Sequence, residues 1–183
     1  MKLSLCLAVC VLFVASGAMA VEKGTIETGG GLDLHLSPSP WILDANMHLL
    51  YYMSPMLGIG PFWRLEKMGK EEGAADSPPT LYAIGALGKI YLPMALMAGK
   101  MTPFVEAGAG IATIEVMKTD EFGIPTGELD TENKMTFMGR GGFDYWLTDK
   151  WTVWTALQAD KVFIDEYDLQ WSIKVGIATF IMK

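Results

Sequence analysis

Taken two at a time, the positions from 171 to 181 separate into unlike sets. Trp171, Ile173, Val175, Ile177, Thr179 and Ile181 fall on one face, and Ser172, Lys174, Gly176, Ala178 and Phe180 on the other. A period of two is the mark of an extended strand whose faces meet different surroundings. The split recurs in eight segments and predicts strands at 25–36, 42–53, 57–67, 80–92, 102–118, 134–147, 151–163 and 169–181. In the first, Ile26, Thr28, Leu32 and Leu34 alternate with Glu27, Gly29, Gly31, Asp33 and His35. In the third, Leu57, Ile59, Trp63 and Leu65 oppose Gly58, Gly60, Arg64 and Glu66. Each segment is long enough to cross a bilayer as a tilted strand, which takes about 9–11 residues.

Charges set the direction of the two faces. Arg64, Lys89, Glu106, Arg140 and Asp160 all lie opposite the branched and aromatic residues of their strands. Tyr51, Tyr145 and Trp151 cluster at one set of strand ends and Trp41, Tyr82, Phe163 and Trp171 at the other, where aromatic rings favour the headgroup level of a membrane. After residue 20 no apolar stretch of helix length remains, so a membrane-spanning chain must satisfy its backbone by closing a sheet. The predicted fold class is all-β, an eight-stranded antiparallel up-and-down transmembrane β-barrel with the apolar face outward and the charged face inward.

The connections alternate in length, as such a barrel requires. Ser54-Pro55-Met56 and Thr148-Asp149-Lys150 read as tight turns and 93–101 as a modest link, all on one side. Opposite them fall 37–41, 68–79, 119–133 and 164–168. Short periplasmic turns and longer external loops would put both termini in the periplasm.

The first twenty residues determine the expected compartment. Lys2 precedes an apolar run from Leu3 to Val14, and Ala18-Met19-Ala20 ends it with small residues at the flanking positions, the pattern of a signal peptide cut after Ala20. The run is short of the ~20 residues an uncleaved membrane helix needs. Residues 21–183 would then form one outer-membrane barrel domain. Both cysteines, Cys6 and Cys10, leave with the signal, and Val9 stands where a lipoprotein signal places a small residue before the modified cysteine. The mature chain keeps 13 basic against 21 acidic residues, a balance that argues against a nucleic-acid partner.

Two stretches carry a resemblance. Thr102-Pro103-Phe104-Val105-Glu106-Ala107-Gly108-Ala109-Gly110-Ile111 resembles the fifth strand of the outer-membrane β-barrel family that includes OmpA-like and OmpX-like proteins. Gly141-Gly142-Phe143-Asp144-Tyr145-Trp146-Leu147-Thr148-Asp149-Lys150-Trp151 is similar to that family's sixth strand, tight turn and start of the seventh. The resemblance implies a cell outer membrane location in a Gram-negative-type envelope, contact with outer-membrane lipids and lipopolysaccharide, and insertion by the barrel-assembly machinery. The family usually ends on an aromatic residue recognised during assembly, whereas this sequence reads Phe180-Ile181-Met182-Lys183.

Candidate chemistry sits on the inward face. Glu27, Asp33, Asp44, Arg64, Lys89, Glu106, Arg140, Asp144, Asp160 and Lys174 form the expected lumen charge network, a mixed-sign plug whose paired ions offset the cost of burial. The alternative is a narrow conduit for small or hydrophobic solutes that opens when pairs exchange partners. His35 and Ser37 share a face, and a short hairpin would bring Asp44 opposite His35, giving an Asp-His-Ser set of the kind a lipid A deacylase would use. No donor for an oxyanion accompanies it, so the expectation is a protein without catalysis and without a cofactor. His35 and His48 lie too far apart along neighbouring strands to share a metal. Acids at 70–76 and 120–132 would face outward and attract weak divalent cations beside lipopolysaccharide.

Overall fold

The computed structural model describes residues 21–35, 43–67, 80–94, 96–119, 125–163 and 169–181. Eight strands form one closed antiparallel barrel in sequence order: β1 (Ile26–His35), β2 (Leu43–Ser54), β3 (Leu57–Lys67), β4 (Thr80–Tyr91), β5 (Met101–Thr119), β6 (Pro125–Thr148), β7 (Trp151–Val162) and β8 (Gln170–Ile181). The closing seam pairs β1 with β8 from Ile26↔Ile181 to His35↔Ser172. No helix among the described residues is long and apolar enough to cross a membrane. The expected signal peptide lies outside the described residues.

Register fixes the width of the barrel. Starting at His35, partner positions run through Ser172, Gln158, Arg140, Glu106, Lys89, Gly58 and Tyr52. The Tyr52 N–H then donates to the Thr25 carbonyl at 3.0 Å, so one circuit returns to the first strand ten residues from its start. A shear of ten on eight strands corresponds to a tilt of ~43° and a radius of ~8 Å, which leaves room inside for side chains alone.

The outer wall is apolar. On β8 it presents Trp171, Ile173, Val175, Ile177 and Ile181, all exposed, while Ser172, Lys174, Ala178 and Phe180 are buried inside. From Trp171 to Ile181 the strand advances ~33 Å, and the tilt reduces this to a band ~25 Å tall, the height of a hydrocarbon core spanned by such barrels. Tyr51, Tyr145 and Trp151 are exposed near the turn end of the wall, and Tyr82, Phe163 and Trp171 near the loop end. Trp41 lies outside the described residues.

Both tight turns use the same device. Before each, the register shifts by one residue, at Tyr52/Ser54 and at Trp146/Thr148. The Ser54 hydroxyl accepts the Leu57 N–H at 3.2 Å, and the Thr148 hydroxyl accepts the Lys150 and Trp151 N–H groups at 3.2 and 3.1 Å. The bulge turns the strand end and the hydroxyl closes the turn.

One expected loop is corrected. The stretch 119–133 was expected to be a loop, yet β6 begins at Pro125, nine residues before the expected start. Glu115 pairs with Thr131, Val116 with Asp130 and Thr119 with Pro125, extending the β5–β6 ladder well past the point where β4 and β7 stop. The result is a two-stranded ribbon standing above the loop end. The exposed Thr126, Asp130 and Thr131 carry none of the apolar alternation of a barrel strand, which a sheet face turned to water does not need.

Candidate functional site

Parity along each strand delivers the charges to the lumen, and register decides which of them meet. Among the described residues the lumen holds four cations, Arg64, Lys89, Arg140 and Lys174, and seven carboxylates, so cations must be shared. They sort into two tiers.

The tier nearer the turn end is built around Lys89. Its Nζ lies 2.9 Å from Glu27 Oε1, 2.8 Å from Asp144 Oδ2 and 3.8 Å from Glu106 Oε1. Tyr52 Oη donates to Glu27 Oε2 and Tyr91 Oη to Asp144 Oδ2, each at 2.5 Å, so one phenol takes the Glu27 oxygen that Lys89 leaves and the other shares Asp144 Oδ2 with the Lys89 ammonium. The rings of Tyr91 and Phe104 stand 4.8 and 4.5 Å from the same ammonium and stabilise it through their π faces. Arg140 Nε donates to Glu106 Oε2, its other nitrogens reach Asn46 Oδ1 and His48 Nδ1, and its guanidinium lies 4.6 Å from the Trp154 ring. Below this tier Trp146 packs on Phe180 at 4.7 Å and donates to Thr102 Oγ1 at 3.1 Å, forming an aromatic floor.

The tier nearer the loop end is built around Arg64 and Lys174. Arg64 Nε donates to Asp44 Oδ2 at 2.7 Å and Nη1 to Asp160 Oδ2 at 3.0 Å, while Nη2 lies 2.8 Å from Glu66 Oε2. Lys174 Nζ reaches Asp33 Oδ2 at 2.7 Å and Asp44 Oδ2 at 3.0 Å. Gln158 donates to Asp160 Oδ1 at 2.8 Å. Between the tiers lies a cavity of about 10 Å³ bounded by Asn46, His48, Arg64, Met138, Arg140 and Lys174. That is space for about one water.

All ten expected network residues therefore lie buried in the lumen, five in each tier. The Asp-His-Ser set is treated differently. The β1–β2 ladder runs from Ile26↔Tyr51 to Leu32↔Ala45, which carries Asp44 beside Asp33 and not opposite His35. Lys174 clamps both aspartates, and His35 meets Ser172 across the closing seam. The expected proximity of Asp44 to His35 is thus corrected: the hairpin register follows the lumen network and the ladder to β8, not the length of the loop. His35 is described in its backbone alone, and Ser37 lies outside the described residues. His48 sits opposite Gly29, six positions along β1 from His35 and so ~20 Å away. Its ring nitrogens face Glu27 Oε1 at 2.9 Å and Arg140 Nη2 at 3.4 Å, which engages both in the charge network.

Sequence reasoning missed the aromatic half of this site. Tyr52, Tyr91, Phe104, Trp146 and Trp154 line the lumen beside the ions. Parity alone marks them, since Tyr52 shares the face of His48 and Trp154 that of Gln158. Among the acids expected at the loop end, Glu132 pairs with Lys134 at 2.9 Å and Asp130 Oδ1 accepts the Thr131 N–H at 2.9 Å. Those at 70–76, with Asp120 and Glu121, lie outside the described residues. No group of three or more His, Cys, Asp or Glu side chains among the described residues has the arrangement of a metal site.

No protein-family model matches the chain, and no curated protein matches its sequence. Solved structures do match. The N-terminal β-barrel domain of OprF from Pseudomonas aeruginosa aligns with a TM-score of 0.58 at 10% identity, over 87% of this chain and 98% of that one. Neisserial surface protein A aligns at 0.56 and 13%, over 86% and 94%. Ail, the attachment invasion locus protein of Yersinia pestis, aligns at 0.55 and 12%, over 87% and 99%. At these identities the likeness is one of fold, and that fold is the outer-membrane eight-stranded barrel.

Proposed function

We propose that this chain, which shares the fold of outer-membrane barrels, is itself an integral outer-membrane protein of a Gram-negative-type envelope, with a structural or surface-interaction role and no catalysis. The observation that carries the reading is the inversion of polarity: a lipid-compatible wall encloses two tiers of shared ion pairs with a cavity of about 10 Å³ between them. A lumen so filled offers no conducting path, so interactions belong to the wall and the loop end. There the β5–β6 ribbon lifts Asp130 and Thr131 clear of the barrel. In this reading residues 1–20 direct export and are removed after Ala20, and the tight turns face the periplasm. The partners are outer-membrane lipids and lipopolysaccharide, weak divalent cations at the acids of the loop end, and the assembly machinery that inserts the barrel.

Planar-bilayer recording tests the closed lumen. The refolded mature chain is expected to be electrically silent. Discrete conductance steps that disappear on Arg140→Ala or Asp160→Ala would replace this reading with a gated conduit. For catalysis, Ser37→Ala is expected to leave lipid A acylation unchanged in cells, as judged by mass spectrometry of extracted lipid A. A change in acyl number between wild type and variant would restore the deacylase reading.

A further inference from the structure

The outer wall is not evenly convex. Two neighbouring rows of outward residues cross its loop-end half. One runs Ala45, Leu65, Tyr82, Thr113 and Asn133, and the other Met47, Trp63, Ile84 and Ile111, with each residue beside the next on adjacent strands. Ala45 and Thr113 are short while Met47, Trp63 and Tyr82 stand tall and exposed, and the mismatch leaves an apolar trough of about 710 Å³. Volumes of this size accommodate a sizeable hydrophobic ligand.

The ends of the trough differ in chemistry. Toward the loop end the Thr113 hydroxyl donates to Asn133 Oδ1 at 2.7 Å, which leaves the Asn133 amide NH₂ as a donor at the edge of the apolar rows. On β3 the outward column Trp63, Leu65 continues to Lys67, an exposed cation that enters none of the ion pairs among the described residues. An apolar trough that rises to an amide donor and a cation at headgroup level is complementary to an amphiphile with a hydrocarbon chain and an anionic head.

Resting on the outer-membrane reading above, we propose that this trough seats one phosphate-bearing lipid of the bilayer, its acyl chain along Trp63, Tyr82 and Ile111 and its phosphate on Lys67. A second copy of the barrel is a poor occupant, because two convex walls meet along their ridges and leave the bottom of a trough empty.

The test is retention of lipid. The mature chain is refolded in vesicles of dimyristoyl phosphatidylglycerol, extracted into mild detergent and measured by native mass spectrometry. The wild type is expected to keep one lipid per barrel. Ala45→Trp, which fills the trough, is expected to abolish retention, and Lys67→Glu to weaken it roughly tenfold. Thr155→Trp, on the outward face of β7, is expected to change nothing. Equal retention by wild type and both trough variants, or a protein dimer in place of the lipid adduct, would overturn the proposal. Should Ala45→Trp fail to assemble, Lys67→Glu lies outside the apolar rows and carries the comparison alone. Failure of the wild type to form a compact, heat-modifiable species in these vesicles would instead defeat the membrane reading on which the proposal rests.

Discussion

Lys89→Met is expected to destabilise the barrel by roughly 3–5 kcal/mol, the cost of removing one partner from a buried ionic cluster. The size follows from sharing. Glu27 and Asp144 both lie within 3 Å of the Lys89 ammonium, and Glu106 at 3.8 Å is the third carboxylate around it. Methionine fills the same volume without the charge, so packing against Phe104 survives and the loss reports electrostatics. Three carboxylates would then face each other with Arg140 on Glu106 as the remaining cation and only the neutral phenols of Tyr52 and Tyr91 donating to Glu27 and Asp144 beside His48. Urea unfolding in lipid vesicles, followed by tryptophan fluorescence and heat-modifiable migration, measures the change. Lys89→Met with Glu27→Gln is expected to recover part of the loss, because it removes an uncompensated charge along with its partner. Lys134→Met at the rim is expected to cost less than about 1 kcal/mol, since the Lys134–Glu132 pair is solvated. A loss below about 1 kcal/mol at Lys89 would mean that water reaches the network and the lumen is not sealed.

Gly176→Ala is expected to be a strongly damaging single-methyl addition, for a reason found on two strands at once. A Cβ at this position would lie 2.2 Å from the Gly30 carbonyl oxygen across the closing seam and 2.4 Å from the Trp154 ring. The carbonyl cannot recede without opening the β1–β8 ladder. The indole cannot recede without leaving Arg140, whose guanidinium it covers at 4.6 Å. Overpacking of this kind costs about 1–3 kcal/mol, and a clash with backbone places the value at the upper end. Gly139→Ala is the matched control, because its Cβ would point outward with the nearest atom 4.0 Å away. That variant is expected to be neutral or to gain ~0.4–1 kcal/mol from reduced freedom of the unfolded chain. The same urea titration decides both. If Gly176→Ala and Gly139→Ala unfold alike, the Trp154 shelf is not a fixed part of the lumen.

The lumen network and the wall trough occupy different parts of the molecule. Loss of the Lys89 cluster affects assembly and leakiness, whereas filling the trough at Ala45 leaves the ions untouched. Agreement of the two experiments would place interaction on the wall of a barrel whose interior serves closure.

Strand parity was legible from the sequence because alternation is local: the residue two places on points the same way whatever the partner strand. The outward Trp171 to Ile181 and the inward Lys174 follow from that alternation whatever the neighbouring strands. The boundaries followed within one residue for seven strands, since each begins or ends where the apolar alternation does. The start of β6 did not, because Pro125 and Leu129 to Thr131 pair with β5 beyond the ends of β4 and β7, where no apolar face is required.

What the sequence by itself determined is therefore the strand number, the inside-out polarity and the charged membership of the lumen. Each depends on a two-residue period and on the impossibility of leaving charges against lipid. Tertiary structure alone decided the partners. Ten residues of shear bring Arg64 of β3 to Asp160 of β7 and Lys89 of β4 to Glu27 of β1, and draw Asp44 to Lys174 and away from His35. Such contacts depend on register summed around a closed sheet, and a shift of one pair at any seam would move every one of them.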